Sequence, residues 1–411
     1  MSAPATYDVA IVGAGVIGAA VAWRASQRGL SVALVDDAPG HGASYAAAGM
    51  LAPVSEAAYG EEALLALCLE SARRYEGFLA ELASASGLAI PHQNAATLVV
   101  ATDDDDLRAL DRLHEYHREL GLSARPVTAR ECRRLEPLLS PRLRGGLAVD
   151  SDHVVDPRAL VGALLAAGAA AGVRLVRQRA RSLTTTAATT PGIATATTVT
   201  GIGGAVTVTG IGLDDGTELA ATSVVLAAGA WSGRAAATGL LANLPEQARP
   251  PVRPVKGQVL RLKGPSGAMG LSRTVRGWVH GTHVYAVPYG DGRVVVGATS
   301  EERGFDTTVT AGATYELLRD ALTLLPALGE LEHVETVCRL RPGTPDNAPL
   351  LGPSSLPGLV LATGHYRSGV LLAPVTADAI ADYLADGVLS DDLGAFSPQR
   401  FGAETALQAV P

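Results

Sequence analysis

The stretch DVAIVGAGVIG, from Asp8 to Gly18, decides the fold of this chain. Asp8–Gly13 is a short apolar run, which is typical of a β-strand buried on both faces. The pattern predicts a helix over Val16–Arg28, closed by Gly29, and a second buried strand over Ser31–Val35. A strand, a G-x-G-x-x-G turn, a helix and a further strand that ends in acidic residues form the dinucleotide-binding arrangement.

Each glycine of this turn has a separate physical task. Gly13 permits the tight turn, Gly15 lets a pyrophosphate approach the backbone, and Gly18 lets the helix pack closely on the strand. The helix N-terminus offers N–H groups and the positive end of its dipole to phosphates. Asp36 is expected to accept hydrogen bonds from the hydroxyls of the adenosine ribose.

The same turn serves NAD and FAD, and three features favour FAD. The turn lies at the start of the chain, and no second strand–G-x-G-x-x-G–helix unit follows. Two further apolar runs end in glycine turns, at Leu226–Gly229 and at Ala362–Gly364. Such turns let backbone groups reach a long cofactor that lies across several strand ends. The sequence therefore predicts FAD as the cofactor.

Composition excludes several other classes of function. The formal net charge of −8 and the lack of a basic stripe argue against nucleic acid as a partner. The three cysteines, Cys68, Cys132 and Cys338, lie far apart without metal-ligand spacing, so no metal site is expected. No leader segment and no apolar run of spanning length is found, so we expect a cytoplasmic protein that does not bind a membrane. The oligomeric state stays open, a homo-oligomer included.

The order of the elements predicts an α/β fold, α+β overall. A discontinuous Rossmann-like FAD-binding domain is expected over residues 1–87, 145–248 and 336–395. A mainly antiparallel β substrate-binding domain is expected over 88–144 and 249–335. A helix is expected from about Gly369 to Ala385, with its N-terminus directed at the flavin, and residues 396–411 are expected to form a C-terminal tail.

A Thr- and Gly-rich segment, residues 184–212, interrupts the first domain. It contains the pentapeptide VTGIG twice, at 199–203 and at 208–212. We interpret it as a β-rich extension or a mobile loop rather than as a site.

Several motifs together make the chain resemble a known family. They are SYAAAGMLAP at 44–53, VLAAGAWSG at 225–233, RPVKGQ at 253–258, YAVP at 285–288, VVVGAT at 294–299, RLRPGTPDNAPLLG at 339–352 and GHYRSGVLLAP at 364–374. With the N-terminal turn, they resemble the glycine oxidases of the D-amino-acid oxidase superfamily, flavoenzymes of bacterial thiamine biosynthesis. The likeness covers nearly the whole chain.

The resemblance implies a set of residues around a non-covalent FAD. Some of them would contact its phosphates and adenosine, and others would line or wrap the isoalloxazine. The set is Gly13, Gly15, Val16, Ile17, Gly18, Asp36, Asp37, Ala43, Ser44, Ala48, Gly49, Met50, Gly229, Gly364, His365, Tyr366, Arg367, Ser368, Gly369, Val370 and Leu371.

For the substrate, the resemblance implies roles for Tyr285, Arg341 and Arg367. Arg341 would hold a carboxylate with its planar fork of donors. From the residues alone, Arg341 could equally pair with a protein acid, Arg367 could hold a loop, and Tyr285 could belong to the core. His283 and His365 are interpreted as structural. The chain departs from the family at Ser300, where a pocket methionine is expected, which leaves the size preference open.

The implied reaction is the oxidation of glycine and other small amines or D-amino acids by dioxygen. It would yield glyoxylate, ammonia and hydrogen peroxide. Three alternatives stay open: a D-amino-acid dehydrogenase, a sarcosine-oxidase-like enzyme with flavin bound to a cysteine such as Cys338, and a non-catalytic flavin-binding assembly protein. Retention of both Arg341 and Tyr285 argues against the last of these.

Overall fold

The computed structural model describes residues 6–187, 206–233, 240–242, 244, 249–264, 270–279 and 281–401. Eight α-helices occur in these ranges. They are α1 Val16–Gln27, α2 Ala43–Ala46, α3 Glu62–Ser86, α4 Asp104–Glu119, α5 Ala129–Leu135, α6 Pro157–Ala170, α7 Ala311–Leu324 and α8 Ala373–Asp386.

Nineteen strands occur in the described part of the chain. They are β1 Thr6–Val12, β2 Val32–Val35, β3 Met50–Leu51, β4 His92–Gln93, β5 Thr97–Ala101, β6 Arg125–Thr128, β7 Gly145–Val149, β8 His153–Val155, β9 Arg174–Val176, β10 Ala180–Ala187, β11 Val206–Leu213, β12 Glu218–Leu226, β13 Arg253–Lys263, β14 Thr274–Val279, β15 Thr282–Pro288, β16 Arg293–Gly297, β17 Glu332–Gly343, β18 Leu350–Pro353 and β19 Leu359–Thr363.

The first sheet has a parallel centre with antiparallel additions. Its centre runs in the order β9, β2, β1, β12 and β19, with every neighbouring pair parallel. Strand β18 adds antiparallel beyond β19, and the β10–β11 hairpin adds antiparallel along the first half of β12. The carboxyl ends of β1, β2, β12 and β19 therefore point to one edge, which is where ligands bind in open α/β sheets.

Side chains alternate across the first sheet. Val9 and Ile11 of β1 belong to the core formed with helices α1, α3, α6 and α8, whereas Ala10 and Val12 belong to the core on the opposite face. A strand buried on both faces reads as a continuous apolar run, which is why Asp8–Gly13 carries so strong a signal.

The second sheet is antiparallel apart from one pair of strands. Its order is β17, β13, β16, β15, β14, β5, β7 and β6, and only β14 and β5 run parallel. Helix α7 covers this sheet through Leu317, Ala321 and Leu324. A small sheet of β3, β8 and β4 lies apart from both. The α/β fold with a mainly antiparallel second sheet is confirmed.

Strand pairing departs from the expected division of the chain at two places. Residues 145–149 are expected in the first domain, yet β7 pairs with β5 and β6 of the second sheet. Residues 336–343 are expected there as well, yet β17 pairs along its length with β13 of the second sheet. The residues of β7 and β17 do not themselves indicate a sheet, because each strand is placed by partners from other parts of the chain. We propose domain limits near residues 150 and 344 in their place.

The Thr/Gly-rich segment contributes β10 and β11, which pair antiparallel. The second VTGIG repeat lies in β11, and the first lies outside the described residues.

The end of the chain stays attached to the first domain as far as it is described. Phe396 is buried in the core, and the guanidinium of Arg400 forms an ion pair with Asp346 at 2.8 Å.

The last helix begins at Ala373, four residues later than expected. Pro374 has no N–H to donate to the carbonyl of Val370, and that carbonyl accepts from the N–H of Ala373 at 3.3 Å and from the Tyr75 hydroxyl at 3.0 Å. The carbonyl of Leu371 accepts from the Ser71 hydroxyl at 2.6 Å. Residues 369–372 therefore form turns, and the expected helix start at Gly369 is wrong.

No helix among the described residues is long and apolar enough to cross a membrane.

One acidic residue ties the first domain to the second sheet and yields a stability prediction. Asp156 caps α6 by accepting from the N–H groups of Arg158 and Ala159, and it pairs with Arg293 of β16 at 2.8 Å. We expect Asp156→Ala to lower the free energy of unfolding by about 2 kcal/mol. Asp156→Asn keeps an acceptor for the cap and should lose less.

Urea denaturation of the FAD-loaded protein measures these differences. The control is Asp291→Asn, because the exposed Asp291 also pairs with Arg293 but caps no helix. It should stay within about 0.5 kcal/mol of the parent. Equal stability of the parent and Asp156→Ala would contradict the role given to the cap and the ion pair.

Candidate functional site

A cavity of about 840 Å³ opens where the carboxyl ends of the first sheet meet the face of the second. Its walls include the glycine turn at Gly13–Ile17, the segment 41–50, the turn after β12, strand β17 and the segment 362–370. The two sheets together therefore build one long site rather than two separate ones.

The glycine turn keeps backbone donors free at the cavity wall. The N–H of Ala14 donates to Asp36 at 2.7 Å, and the N–H of Val16 donates to the Ser44 hydroxyl at 3.0 Å. The N–H groups of Gly15 and Ile17 have no partner among the described residues. Free N–H groups at a helix N-terminus fit phosphate, so this end of the cavity suits the pyrophosphate of a dinucleotide.

The two acidic residues after β2 behave differently from each other. Each carboxylate oxygen of Asp36 already holds one N–H, from Ala14 and from Ala38, and each keeps a lone pair for a ribose hydroxyl. Asp37 also lines the cavity, but its carboxylate pairs with the guanidinium of Arg179 at 2.5 Å. Arg179 thus belongs to the adenosine end of the site, which the sequence did not indicate.

The segment 43–50 is fixed between the two sheets. The Tyr289 hydroxyl of the second sheet donates to the carbonyl of Ala48 at 2.7 Å. Arg261 of β13 donates to the carbonyls of Tyr45 and Ala47 at 3.1 and 3.3 Å. All five residues expected from this segment line the cavity: Ala43, Ser44, Ala48, Gly49 and Met50.

The segment after β19 is brought only partly to the cavity. His365, Tyr366, Arg367, Gly369 and Val370 line it, as does Gly229 from the turn after β12. Gly18, Gly364, Ser368 and Leu371, which were expected there, do not.

Each of these four residues faces protein instead of the cavity. Gly18 packs against the carbonyl of Gly13, and Gly364 packs against Thr344. Ser368 and Leu371 lie behind the wall against helix α3, because the hydroxyls of Ser71 and Tyr75 fasten the backbone of residues 370–371 to that helix.

His365 is a structural residue by its surroundings. It is buried, its Nε2 lies 3.0 Å from the Thr376 hydroxyl, and burial lowers its pKa to about 3. The ring is therefore neutral at physiological pH and braces the start of α8. His365 thus contributes to the wall of the cavity as a neutral side chain.

The three substrate-side residues all reach the cavity. The Nη1 of Arg341 donates to the carbonyl of Thr299 at 3.0 Å, and no Asp or Glu among the described residues forms an ion pair with it. Burial raises the pKa of the Tyr285 phenol, and the charge of Arg341 partly opposes this rise. Arg367 is half-exposed and lies 3.8 Å from Glu61, a loose pair.

Sequence reasoning missed several residues of the wall. Arg339 lines the cavity and donates to the carbonyl of His41 at 2.7 Å; its spacing of two from Arg341 on one strand could have indicated this. Trp231 and Phe305 also line it, with ring centroids 5.9 Å apart. No sequence signal joins two residues so far apart along the chain. Ser300 is exposed and lies outside the lining.

A buried carboxyl lies near an ion pair at the cavity wall. Glu56 lines the cavity and pairs with Arg276 at 3.0 Å. Behind them lies the buried carboxyl of Asp152. Burial raises the pKa of Asp152 to about 6, since the Ser55 and Thr97 hydroxyls and the charge of Arg276 offset only part of the desolvation.

The fold and the cavity together define a flavin-dependent oxidoreductase of the two-domain kind. The chain belongs to the family of FAD-dependent oxidoreductases, whose model matches residues 8–383. The resemblance based on sequence motifs is thereby confirmed, as is FAD as the cofactor of the family.

Two relatives show how the chain compares with known proteins in sequence. The glycine oxidase of Geobacillus kaustophilus is 33% identical, over 96% of this chain and 97% of its own length. The bifunctional protein ThiO/ThiG of a Synechocystis species is 33% identical over 96% of this chain, but the chain spans only 54% of that relative.

Solved structures agree with these relatives. The crystal structure of the glycine oxidase from Geobacillus kaustophilus superposes with a TM-score of 0.82 at 32% identity, covering 96% of this chain and 99% of the other. An iminodiacetate oxidase from a Chelativorans species superposes with a TM-score of 0.79 at 27% identity, covering 95% and 98%.

The buried carboxyl of Asp152 gives a pH prediction. A pKa raised from 3.8 to about 6 means that the folded protein holds a proton that the unfolded chain has lost. This stabilisation is complete below pH 4 and is lost as the pH rises through 6. The parent should therefore lose roughly 1–3 kcal/mol more stability between pH 4 and pH 7 than Asp152→Asn.

Urea unfolding at several pH values, with FAD at saturation, measures this difference. Asp150→Asn is the control, since Asp150 is exposed. Parallel pH profiles for the parent and Asp152→Asn would contradict the assignment.

Proposed function

We propose that the protein is a glycine oxidase, which deaminates glycine and other small amines or D-amino acids at the expense of dioxygen. The overall reaction converts glycine, dioxygen and water into glyoxylate, ammonia and hydrogen peroxide. We further propose that its imine product supplies thiazole formation in thiamine synthesis, as the likeness to the ThiO/ThiG proteins suggests. One observation carries the proposal: a guanidinium without a protein carboxylate faces the same cavity as the FAD turn.

The cavity residues suit FAD at one end and a short amino acid at the other. The free N–H groups of Gly15 and Ile17 and the Asp36 carboxylate would hold its phosphates and adenosine. When bound, FAD supplies a hydride acceptor that can return electrons to dioxygen. The protein has to hold the substrate so that its Cα–H bond faces that acceptor.

Arg341 and Tyr285 are proposed to supply this orientation. Arg341 would bind the substrate carboxylate through donors that Thr299 does not occupy. Tyr285, whose raised pKa keeps it a neutral phenol, would lie on the amine side and can donate one hydrogen bond. Arg367 would lie at the outer side of the substrate, where it is partly exposed.

A non-covalent FAD is proposed. The three cysteines are buried and free, and none of them belongs to the cavity wall formed by described residues. Cys338, which a sarcosine-oxidase-like enzyme would use as an anchor, lies on β17 opposite Gln258 of β13 and outside the cavity wall. Free thiols also support a cytoplasmic location.

A second substrate class is favoured by Arg367. Its guanidinium lines the cavity and has only a loose pair with Glu61. Arg367 and Arg341, the two arginines assigned to the substrate, suit a compound with two carboxylates, and the similar iminodiacetate oxidase is named for such a compound. An amino dicarboxylate is therefore the alternative substrate.

Peroxide release across a set of amines tests the proposed function. We expect glycine to be the best substrate, with sarcosine and D-alanine lower by about 10–200-fold at most, because one methyl group must fit beside the fixed carboxylate. D-phenylalanine and L-alanine should be poorer still. Iminodiacetate as the best substrate would favour the alternative, and L-alanine as the best would overturn the proposed binding geometry.

Arg341→Ala tests the carboxylate site. Removal of the guanidinium leaves the substrate anion unpaired, so kcat/KM for glycine should fall by about 10²–10³-fold. FAD content, read from the absorbance spectrum, should stay unchanged. The matched control is Arg303→Ala, an exposed arginine outside the cavity wall. A loss below about threefold in Arg341→Ala would remove this residue from the site.

A further inference from the structure

Two glycines lie directly beneath the two side chains proposed to orient the substrate. In the second sheet the strand order is β17, β13, β16 and β15. Arg341 is on β17 and Gly257 on β13, where Arg341 pairs with Val255, two residues before the glycine. Tyr285 on β15 pairs directly with Gly297 on β16. The two glycine strands thus separate the two side chains.

The contact between each glycine and its side chain is very close. An ideal Cβ on Gly257 would lie 2.3, 2.6 and 2.7 Å from Nη1, Cζ and Nη2 of Arg341. An ideal Cβ on Gly297 would lie 2.4, 2.5 and 2.8 Å from Oη, Cζ and Cε2 of Tyr285. Neither side chain could keep its place if the glycine carried a β-carbon.

Other glycines of the same sheet serve a different purpose. A Cβ on Gly146 would meet the carbonyl oxygen of Val99 at 2.5 Å, and one on Gly277 would meet that of Val100 at 2.9 Å. Those glycines let strands pack. At Gly257 and Gly297 the three nearest atoms all belong to the end of a cavity side chain, so the missing β-carbon makes room for that side chain alone.

The two glycines also change the direction of both side chains. Side chains of a strand ordinarily stand roughly perpendicular to the sheet. Arg341 instead reaches diagonally onto β13, and Tyr285 lies across β16, so the two converge over the strands between them. The guanidinium in this position meets the carbonyl of Thr299 at 3.0 Å.

We propose that Gly257 and Gly297 are positioning residues that set the depth of the substrate site. They act through Arg341 and Tyr285, which they allow to lie flat on the sheet, and so they fix the space left above for a short carboxylate. This inference rests on the proposed function, since it takes the space above the two side chains to be the substrate site.

A β-carbon at either glycine would meet side-chain atoms rather than backbone, so the side chain is the part that has to move. The end of Arg341 is flexible and can turn away, whereas the ring of Tyr285 has to move as a unit. The expected result of Gly257→Ala is therefore a folded enzyme with a displaced guanidinium.

A double-mutant cycle tests the proposal on the FAD-loaded enzyme. The variants are Gly257→Ala, Arg341→Ala and both together, with acetate as the probe and the flavin absorbance change as the readout. Gly257→Ala should raise the Kd for acetate and the KM for glycine by about 10–100-fold. In the Arg341→Ala background the same change should have no further effect.

The second cycle uses Gly297→Ala and Tyr285→Ala with glycine as the probe. If Gly297 acts by positioning Tyr285, Gly297→Ala should have no further effect in the Tyr285→Ala background. If Gly297→Ala instead damages the fold in general, its effect should persist in that background. Gly77→Ala, on the exposed face of α3 where a Cβ meets nothing within 4 Å, is the control and should behave as the parent. Effects that multiply in either cycle, or a Gly257→Ala enzyme within about threefold of the parent, would overturn the proposal.

Results that contradict the proposed glycine oxidase activity can be distinguished from results that contradict the role of Gly257. A parent that binds acetate through Arg341 but oxidises no glycine contradicts the glycine oxidase assignment, and the acetate cycle still supports or overturns the role of Gly257. A parent whose acetate affinity is unchanged by Arg341→Ala contradicts both.

Discussion

The close approach of helix α1 to strand β1 is the constraint on which the rest of the site depends. A Cβ on Gly18 would lie 1.8 Å from the carbonyl oxygen of Gly13, so no other residue lets the helix start at this distance. The approach places the first turn of α1 at the end of β1. The free N–H groups of Gly15 and Ile17 consequently face the cavity rather than the core.

Residues 43–50 lie between the glycine turn and the second sheet and are hydrogen-bonded to both. Ser44 accepts from the N–H of Val16, while the next carbonyls of the segment accept from Arg261 and Tyr289. One short stretch of chain thereby takes hydrogen bonds from both domains. Its position sets the distance between the dinucleotide turn and the side chains of the second sheet, which is the distance over which a flavin would have to reach its substrate.

Local signals in the sequence were sufficient for the parallel centre of the first sheet and for the binding turn. The helix expected over Val16–Arg28 begins at Val16 and ends at Gln27, and Gly29, which was expected to close it, has a positive φ angle. The strands at the glycine turns were predictable because burial on both faces produces continuous apolar runs. Local patterns of this kind do not depend on distant partners.

The structure differs from the sequence-based predictions mainly where contacts with residues distant in sequence determine the local structure. Helix α8 begins late for one local reason, since Pro374 cannot donate to the carbonyl of Val370, and for one distant reason, since the Tyr75 and Ser71 hydroxyls of α3 donate to the carbonyls of Val370 and Leu371. The sequence near residue 370 contains the first reason but not the second. The membership of β7 and β17 in the second sheet depends on strands far along the chain. The same is true of Arg179 beside Asp37 and of Trp231 beside Phe305.

At the substrate end of the cavity, two sequence motifs each contain a glycine whose role cannot be inferred from the sequence. RPVKGQ includes Gly257, and VVVGAT includes Gly297, yet neither glycine lies in a turn or has a positive φ angle. Their neighbours in space come from other strands, so the sequence gives no reason for them. Only the placement of Arg341 and Tyr285 above them supplies one: a β-carbon at either position would lie within 3 Å of the end of the side chain that extends over it, so the two side chains could not converge over these strands as they do.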